Sequence, residues 1–291
     1  MVKMIVMDMD GTLLNSHNQI TKKTKEILLE VQKKGIQLVL ASGRSYMKLL
    51  PYAKELQMDI YGGYLVEVNG TAVYDVKNNQ REVLAQMQVE QIHEIYAYFM
   101  QYHVEIIGQF DDGMYDYIPK DMMEEKKAYR KQHQLPQDYP WSAGAFHFIF
   151  DNRNGYPNLV YVHDYKEITH SINKVSVTYH PKQMEEITYY AKRDLSDRYW
   201  VGLTSPRWLE IMIPNVTKAT GLERVAQKSG ISLQDMMAFG DGENDIEMLK
   251  EVGFGIAMEN AFAHVKEIAD DVTSSNEEDG IAVAIKKYID L

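Results

Sequence analysis

Met4-Ile5-Val6-Met7-Asp8-Met9-Asp10-Gly11-Thr12-Leu13 joins a short apolar run to two carboxylates two residues apart. The apolar run reads as a strand, because a continuous hydrophobic stretch bounded by turn residues suits burial on both faces. Asp8 and Asp10 follow at its carboxyl end. Buried charge is costly unless it is paired or bound to a metal. The hexapeptide from Asp8 to Leu13 therefore admits two readings. One is a turn that uses Asp and Gly for their local chemistry. The other is a catalytic pair, in which one acid attacks phosphorus and the other moves a proton. The remainder of the chain has to choose between them.

The chain has 291 residues, the length of about two domains. It has no cysteine, so disulfides, thiolate catalysis and zinc–thiolate sites are excluded. A net charge of -11 argues against a nucleic-acid partner, which calls for a basic surface. It does not exclude an anionic substrate, because a metal ion or a few local cations override the global field. Asp8 and Asp10 interrupt the N-terminal apolar run too early for a signal peptide. No apolar stretch approaches the length of a membrane span. The expected location is the cytoplasm. Asn69-Gly70-Thr71 and Asn215-Val216-Thr217 match the glycosylation sequon and are read as chance matches.

The first 80 residues or so alternate strand and helix. Met4 to Met7 is a strand, Thr21 to Lys34 a helix with Thr21 as N-cap and Gly35 at its end, and Ile36 to Ala41 a second strand. Ser45 to Leu56 is helical, with Pro51 predicting a late start or a kink. Asn69-Gly70 marks a hairpin between Tyr64–Val68 and Thr71–Tyr74. The last 75 or so alternate again: helix at Lys218–Lys228, strand at Met236–Phe239, helix at Asp245–Val252, strand at Phe254–Ala257, a short helix, a strand near Val272 and a helix at Ile281–Tyr288. This alternation predicts an α/β fold, a Rossmann-like parallel sheet core with helices on both faces. The middle holds 14 of the 20 tyrosines and all three tryptophans. It mixes helices (Val89–Tyr102, Met122–His133, Lys182–Asp194) with antiparallel-type strands (Phe146–Phe150, Lys174–Tyr179, Tyr199–Leu203). We read residues 83–213 as an α+β domain inserted into a core formed by 1–82 and 214–291.

Three polar motifs end core strands: Asp8-Met9-Asp10-Gly11-Thr12, Ala41-Ser42-Gly43-Arg44 and Gly240-Asp241-Gly242-Glu243-Asn244-Asp245. Ligands of open parallel sheets bind outside the carboxyl ends of the strands, so the three converge on one site. Asp8, Asp10, Asp241 and Asp245 would meet there. At about 4 Å and an effective dielectric near 20, each like-charge pair costs roughly 4 kcal/mol. The cluster calls for a cation, and all-oxygen ligands point to a hard one, Mg²⁺ most naturally. A calcium loop of the EF-hand type fails on spacing, because Gly11 comes too early and Ile246 stands where a glycine is needed. Ser42 and Gly43 offer a hydroxyl and an open backbone N–H to a phosphate oxygen, although alone they read as an ordinary turn. Lys218 opens a helix, where a cation opposes the macrodipole. It serves a nearby anion or is a solvated surface lysine.

Together these residues resemble the four motifs of the haloacid dehalogenase superfamily of phosphatases, and their order and spacing are similar to the Cof-like branch, whose α+β cap lies between motifs two and three. The Asn69-Gly70 hairpin and the run Trp208 to Pro214 before Lys218 share that likeness. The resemblance implies that Asp8 is the nucleophile forming an aspartyl-phosphate, and that Asp10 protonates the leaving oxygen and then activates water. It implies Mg²⁺ on Asp8, the Asp10 backbone carbonyl and Asp241, with Asp245 supporting its water shell. Met9, Ser42, Gly43, Lys218 and Asn244 would bind the phosphoryl group. Ser42 stands where Thr is commoner, and Gly242 where Asn is common, without loss of a required group. Arg44 would contact substrate or cap.

A cap of this kind would close over the site, exclude water and select the leaving group. The aromatic residues of the insert are read as packing rather than as stacking platforms. Asp111-Asp112-Gly113 lies between two strand-like runs and reaches substrate or stands as a solvated tip. The expected activity is Mg²⁺-dependent hydrolysis of a small phosphorylated metabolite, a sugar phosphate or phosphorylated cofactor. A sugar phosphomutase and a non-catalytic phospho-ligand sensor are the alternatives. Oligomeric state is not specified by these motifs.

Overall fold

Strand β1 (Met4–Met7) is buried at every residue, because both faces of its sheet are covered. Ile5 and Met7 join one hydrophobic cluster and Met4 and Val6 another, as alternation along a strand requires. The computed structural model describes residues 2–153 and 156–290. Residues 1 and 291 of the expected core lie outside that range. Contacts divide the chain into two units, Met1–Leu84 with Val216–Leu291, and Ala85–Asn215.

In the first unit β1 leads to α1 (Lys22–Lys33), β2 (Gln37–Ala41), α2 (Tyr46–Glu55), a single turn α3 (Met58–Tyr61), and the strands β3 (Gly63–Glu67), β4 (Ala72–Asp75) and β5 (Gln80–Val83). Thr21 caps α1 by accepting the Thr24 N–H. Helix α2 runs through Pro51 without the late start its sequence predicts.

The second unit comprises α4 (Val89–Met100), β6 (Glu105–Phe110), β7 (Gly113–Tyr117), α5 (Lys120–Gln132), β8 (Asn158–Tyr161), β9 (Lys174–Thr178), α6 (Pro181–Leu195), β10 (Trp200–Ser205) and β11 (Trp208–Met212). The strand expected at Phe146–Phe150 is irregular chain instead. Gly144 and His147 close a turn on each other, and Phe146 is 72% exposed, so its apolar side chain meets no sheet to pack on.

The chain then returns to the first unit through α7 (Lys218–Ser229), β12 (Met236–Gly240), α8 (Ile246–Glu251), β13 (Phe254–Ala257), α9 (Ala263–Ile268), β14 (Asp271–Val272) and α10 (Gly280–Tyr288). Among the described residues the sheet of this unit has eight strands in the order β14-β13-β12-β1-β2-β3-β4-β5. It is parallel from β14 to β3, and β4 and β5 add an antiparallel edge. Residues of α1, α2 and α10 cover one face and those of α7, α8 and α9 the other. The fold is thus α/β with helices on both faces, as the alternation of elements predicts.

The second unit's sheet has the order β10-β11-β9-β6-β7-β8. Ile92, Ile95 and Phe99 of α4 and Met184, Ile187 and Ala191 of α6 bury one face against Ile106, Val175, Val177, Leu209 and Ile211. Tyr96, Phe99 and Tyr199 are buried in this cluster, so these rings pack rather than face a ligand. The opposite face is buried and mixes apolar residues such as Ile107 and Trp208 with polar ones. It carries Glu105, Asp116, Lys174, Ser176 and Glu210. Lys174 is ion-paired with Glu210. Lys126 of α5 is fully buried, 2.7 Å from Glu105 Oε2, and donates to the carbonyls of Trp141 (2.6 Å) and Phe148 (2.8 Å). Ser142 donates to Asp116 Oδ2 at 2.5 Å, and Asp116 Oδ1 accepts no hydrogen bond among the described residues. Burial first, and then the Glu105 carboxylate, hold the Asp116 carboxyl well above the usual range, against Lys126 and Ser142.

A pH dependence of stability follows. Folded Asp116 keeps its proton to a higher pH than the unfolded residue does, so the folded state binds more protons. The stability it contributes is complete below an unfolded pKa of about 4 and is lost as pH rises towards the folded value. Asp116→Asn is expected to flatten the fall in urea midpoint between about pH 4 and 8. A variant with the same slope as the wild type would refute the titration of this group.

Candidate active site

The carboxyl ends of β1, β2 and β12 place their motifs side by side, because β1 pairs in parallel with both neighbours. The Asp8 N–H still bonds to the Phe239 carbonyl at 3.0 Å, so the nucleophile candidate is fixed by the sheet's own ladder. Its side chain is nearly buried, and its Oδ1 accepts from Lys218 Nζ at 2.5 Å. The same ammonium lies 2.6 Å from Asp245 Oδ1 and is fully buried. Asp245 Oδ2 in turn accepts the backbone N–H groups of Asp241 and Gly242, both at 2.9 Å. Asp245 thus shapes the loop after β12 and aims Lys218. Thr217 caps α7, which seats Lys218 in the first turn.

Asp241 Oδ1 accepts the Thr12 hydroxyl at 2.6 Å. Gly11, at a φ of 86°, lies so close that a Cβ there would stand 2.5 Å from Asp241 Oδ2. Both the left-handed backbone and the close approach therefore require glycine at this position. Asp8, Asp241 and Asp245 each offer an oxygen within 4.8 Å of the others. Three carboxylates against one ammonium leave two negative charges. The effect is visible in their acidity. Burial pushes Asp8 well up, with Lys218 opposing and Asp245, Asp241 and Asp10 adding to it. Asp241 is pushed up to about 7 by burial and by Asp245. Burial pulls the Lys218 ammonium down, but Asp245 and Asp8 outweigh it and hold it above its ordinary value.

Asp10 departs from expectation. Four carboxylates were to meet, and its side chain is not in the group of three. It is half exposed and turns to Arg44, whose Nε donates to Oδ2 at 2.9 Å and whose Nη2 pairs with Oδ1. Arg44 also reaches Asn18 Oδ1 at 3.3 Å, so its near partners are neighbours within the first unit. A two-residue offset at the end of a strand leaves both acids on one side only while the backbone stays extended. Here Gly11 turns the chain, and Asp10 swings towards solvent. Met9 is fully buried in the core, which leaves its backbone alone for any anion contact. Ser42 is buried, with its Oγ accepting the Arg44 N–H at 3.1 Å, and Gly43 beside it is partly exposed. Asn244 donates from Nδ2 to Asn69 Oδ1 at 2.9 Å. Neither Thr12 nor Asn18 carries a signal of its own in the sequence, and Asn69 reads there as a turn residue. Thr12 was legible only as part of the motif that contains it.

The family model of haloacid dehalogenase-like hydrolases matches residues 5–285. The chain belongs to that family. Its curated relatives include the putative phosphatase YxeH of Bacillus subtilis, 28% identical over 99% of each chain. Another is the 5-amino-6-(5-phospho-D-ribitylamino)uracil phosphatase YcsE of the same organism, 26% identical over 99% of this chain and 96% of that one. Among solved structures, a haloacid dehalogenase-like hydrolase from Bacteroides thetaiotaomicron is 27% identical, with a TM-score of 0.76 over 99% of both chains. The chain is accordingly an enzyme of the phosphatase type. None of its described helices is long and apolar enough to cross a membrane.

Proposed function

We propose that this hydrolase is a Mg²⁺-dependent phosphatase of small phosphorylated metabolites, with Asp8 as its nucleophile. The observation that carries this reading is the group of buried Asp8 and Asp245 and half-buried Asp241 around Lys218, outside the ends of parallel strands. The donor set fits a hard divalent ion: its oxygens are carboxylate, and the surplus is two negative charges. Asp8, Asp241 and the Asp10 backbone carbonyl would hold the ion, and Asp245, whose two oxygens are already engaged, would act from behind. When bound, Mg²⁺ keeps the acids ionised and neutralises phosphoryl oxygens.

The chain's own groups account for the rest. Asp8 is held by the sheet and by Lys218, so its oxygen meets phosphorus without prior reorientation, and an aspartyl-phosphate forms with loss of the leaving oxygen. Lys218 carries a charge that burial has not removed, suited to the oxygens of a transferring phosphoryl group. Ser42, Gly43, Asn244 and the Met9 backbone would complete that cradle. Asp10 sits on a solvent-facing turn, where, once protonated from solvent and released from Arg44, it would pass that proton to the leaving oxygen and later take one from water. Its pair with Arg44 fixes the carboxylate until substrate arrives. The proposed substrates are sugar phosphates or phosphorylated cofactors, a class that includes the compound in the name of the relative YcsE. The second unit would set the choice among them. An acidic chain in a cytoplasmic setting, acting without nucleic acid or membrane, fits such substrates.

Release of inorganic phosphate from para-nitrophenyl phosphate and from a panel of phosphorylated metabolites tests the reading. Activity is expected to vanish with EDTA and to return with excess Mg²⁺. Undiminished turnover in EDTA would refute the metal requirement. No turnover of any compound with Mg²⁺ present would refute the phosphatase reading.

A further inference from the structure

The turn between β3 and β4 links parts of the site that the motifs do not themselves connect. Val68, Asn69 and Gly70 have φ values of 46°, 56° and 104°. Left-handed backbone is unfavourable for a β-branched residue such as Val68, so contacts from elsewhere must hold it. Those contacts come from the loop after β2: the Val68 N–H donates to the Arg44 carbonyl at 3.1 Å, and the Asn69 N–H to the Ser42 carbonyl at 2.9 Å. On the other side, a Cβ on Gly70 would stand 2.0 Å from the Thr217 carbonyl, next in sequence to Lys218. The buried Asn69 side chain accepts from Asn244 Nδ2 at 2.9 Å. One residue thus holds the Ser42 backbone and the Asn244 amide.

We propose that Asn69 is a positioning residue of the phosphoryl site, setting the Asn244 amide and bracing the Ser42–Arg44 loop. The inference rests on the reading of Ser42 and Asn244 as phosphoryl contacts. An amide nitrogen carries two hydrogens. Asn69 takes one from Asn244 and so fixes the amide plane, which leaves the second for a phosphoryl oxygen. A plain turn residue would need only the left-handed backbone, which Gly supplies as well as Asn. The side-chain contact is what a turn does not require.

Asn69→Gly separates the two roles, because it keeps the backbone and removes the contact. With para-nitrophenyl phosphate and Mg²⁺, N69G is expected to lose about tenfold in kcat/KM at a melting temperature near that of the wild type. The affinity for inorganic phosphate, measured by calorimetry, is expected to fall by a similar factor. Because Asn69 acts through Asn244, the N69G/N244A double variant should be no more impaired than N244A. Kinetics and phosphate affinity of N69G equal to the wild type, or losses that multiply in the double variant, would overturn the inference. Should N69G fold poorly, Asn69→Asp keeps both a left-handed backbone and an acceptor oxygen. N69D is expected to exceed N69G in turnover, and equal impairment would count against the side-chain role. Phosphate affinity needs no turnover, so it decides the role of Asn69 even if the wild type hydrolyses nothing. An inactive wild type would instead refute the phosphatase reading.

Discussion

Asp8→Asn is expected to lower kcat on any accepted phosphomonoester by at least roughly a thousandfold, about 4 kcal/mol of barrier, with the fold intact. The amide has no anionic oxygen to attack phosphorus, and no neighbour can substitute. Asp245 has both oxygens committed to Lys218 and to the loop after β12. Asp241 is tied to Thr12, and Asp10 faces Arg44. The fold should survive because Asp8 stands in a group already overloaded with negative charge. Burial and its acidic neighbours disfavour the Asp8 carboxylate, so a neutral isostere relieves crowding while Lys218 keeps Asp245. Steady-state kinetics beside a thermal melt checks both halves. A D8N protein with wild-type turnover would remove Asp8 from the chemistry. A D8N protein that fails to fold would show that the Asp8–Lys218 pair is chiefly structural.

Lys126→Met is expected to destabilise the protein by about 3–5 kcal/mol, the usual consequence of removing one partner of a buried pair. Lys126 and Glu105 are both fully buried and 2.7 Å apart, with Asp116 adding a second acid to the same pocket. The substitution keeps the apolar stem and deletes the charge. Glu105 then lacks its cation, and the carbonyls of Trp141 and Phe148 lose a donor. Folding would require Glu105 as well as Asp116 to carry a proton. The loss should therefore be smaller near pH 4 than at pH 8. The urea midpoint across that range measures it, and K126M as stable as wild type at pH 8 would refute the ionised pair. Lys126 belongs to the second unit, so K126M reports on that unit's own packing.

Much of the α/β architecture was legible in the sequence because its causes are local. Met4–Met7 reads as a strand from four apolar residues, Thr21 as a cap from its side chain, and Gly35 as a helix end from the backbone it allows. Other elements were misread where a local signal met a distant cause. Phe146–Phe150 has strand composition but no neighbouring strand to bond with. Pro51 signals a late start or a kink, yet the helix already starts at Tyr46 and runs on to Glu55, with Leu49 and Ala53 on either side buried. Val68 looks like the last residue of β3. The carbonyls of Ser42 and Arg44 draw it and Asn69 into a left-handed turn instead.

By itself the sequence determined which residue types stand at the ends of the core strands, and so the class of chemistry: carboxylates without thiols, glycines beside them, and one lysine opening a helix. Strand alternation and turn chemistry are short-range, so they can be read from neighbours. Only the tertiary structure decided which oxygen meets which partner. Lys218 bridges Asp8, 210 positions away, and Asp245, 27 positions away. Asp10, two residues from Asp8, turns to Arg44. A buried carboxylate must find a cation or a donor wherever the fold supplies one. That supply is fixed by which strands lie side by side, not by spacing along the chain.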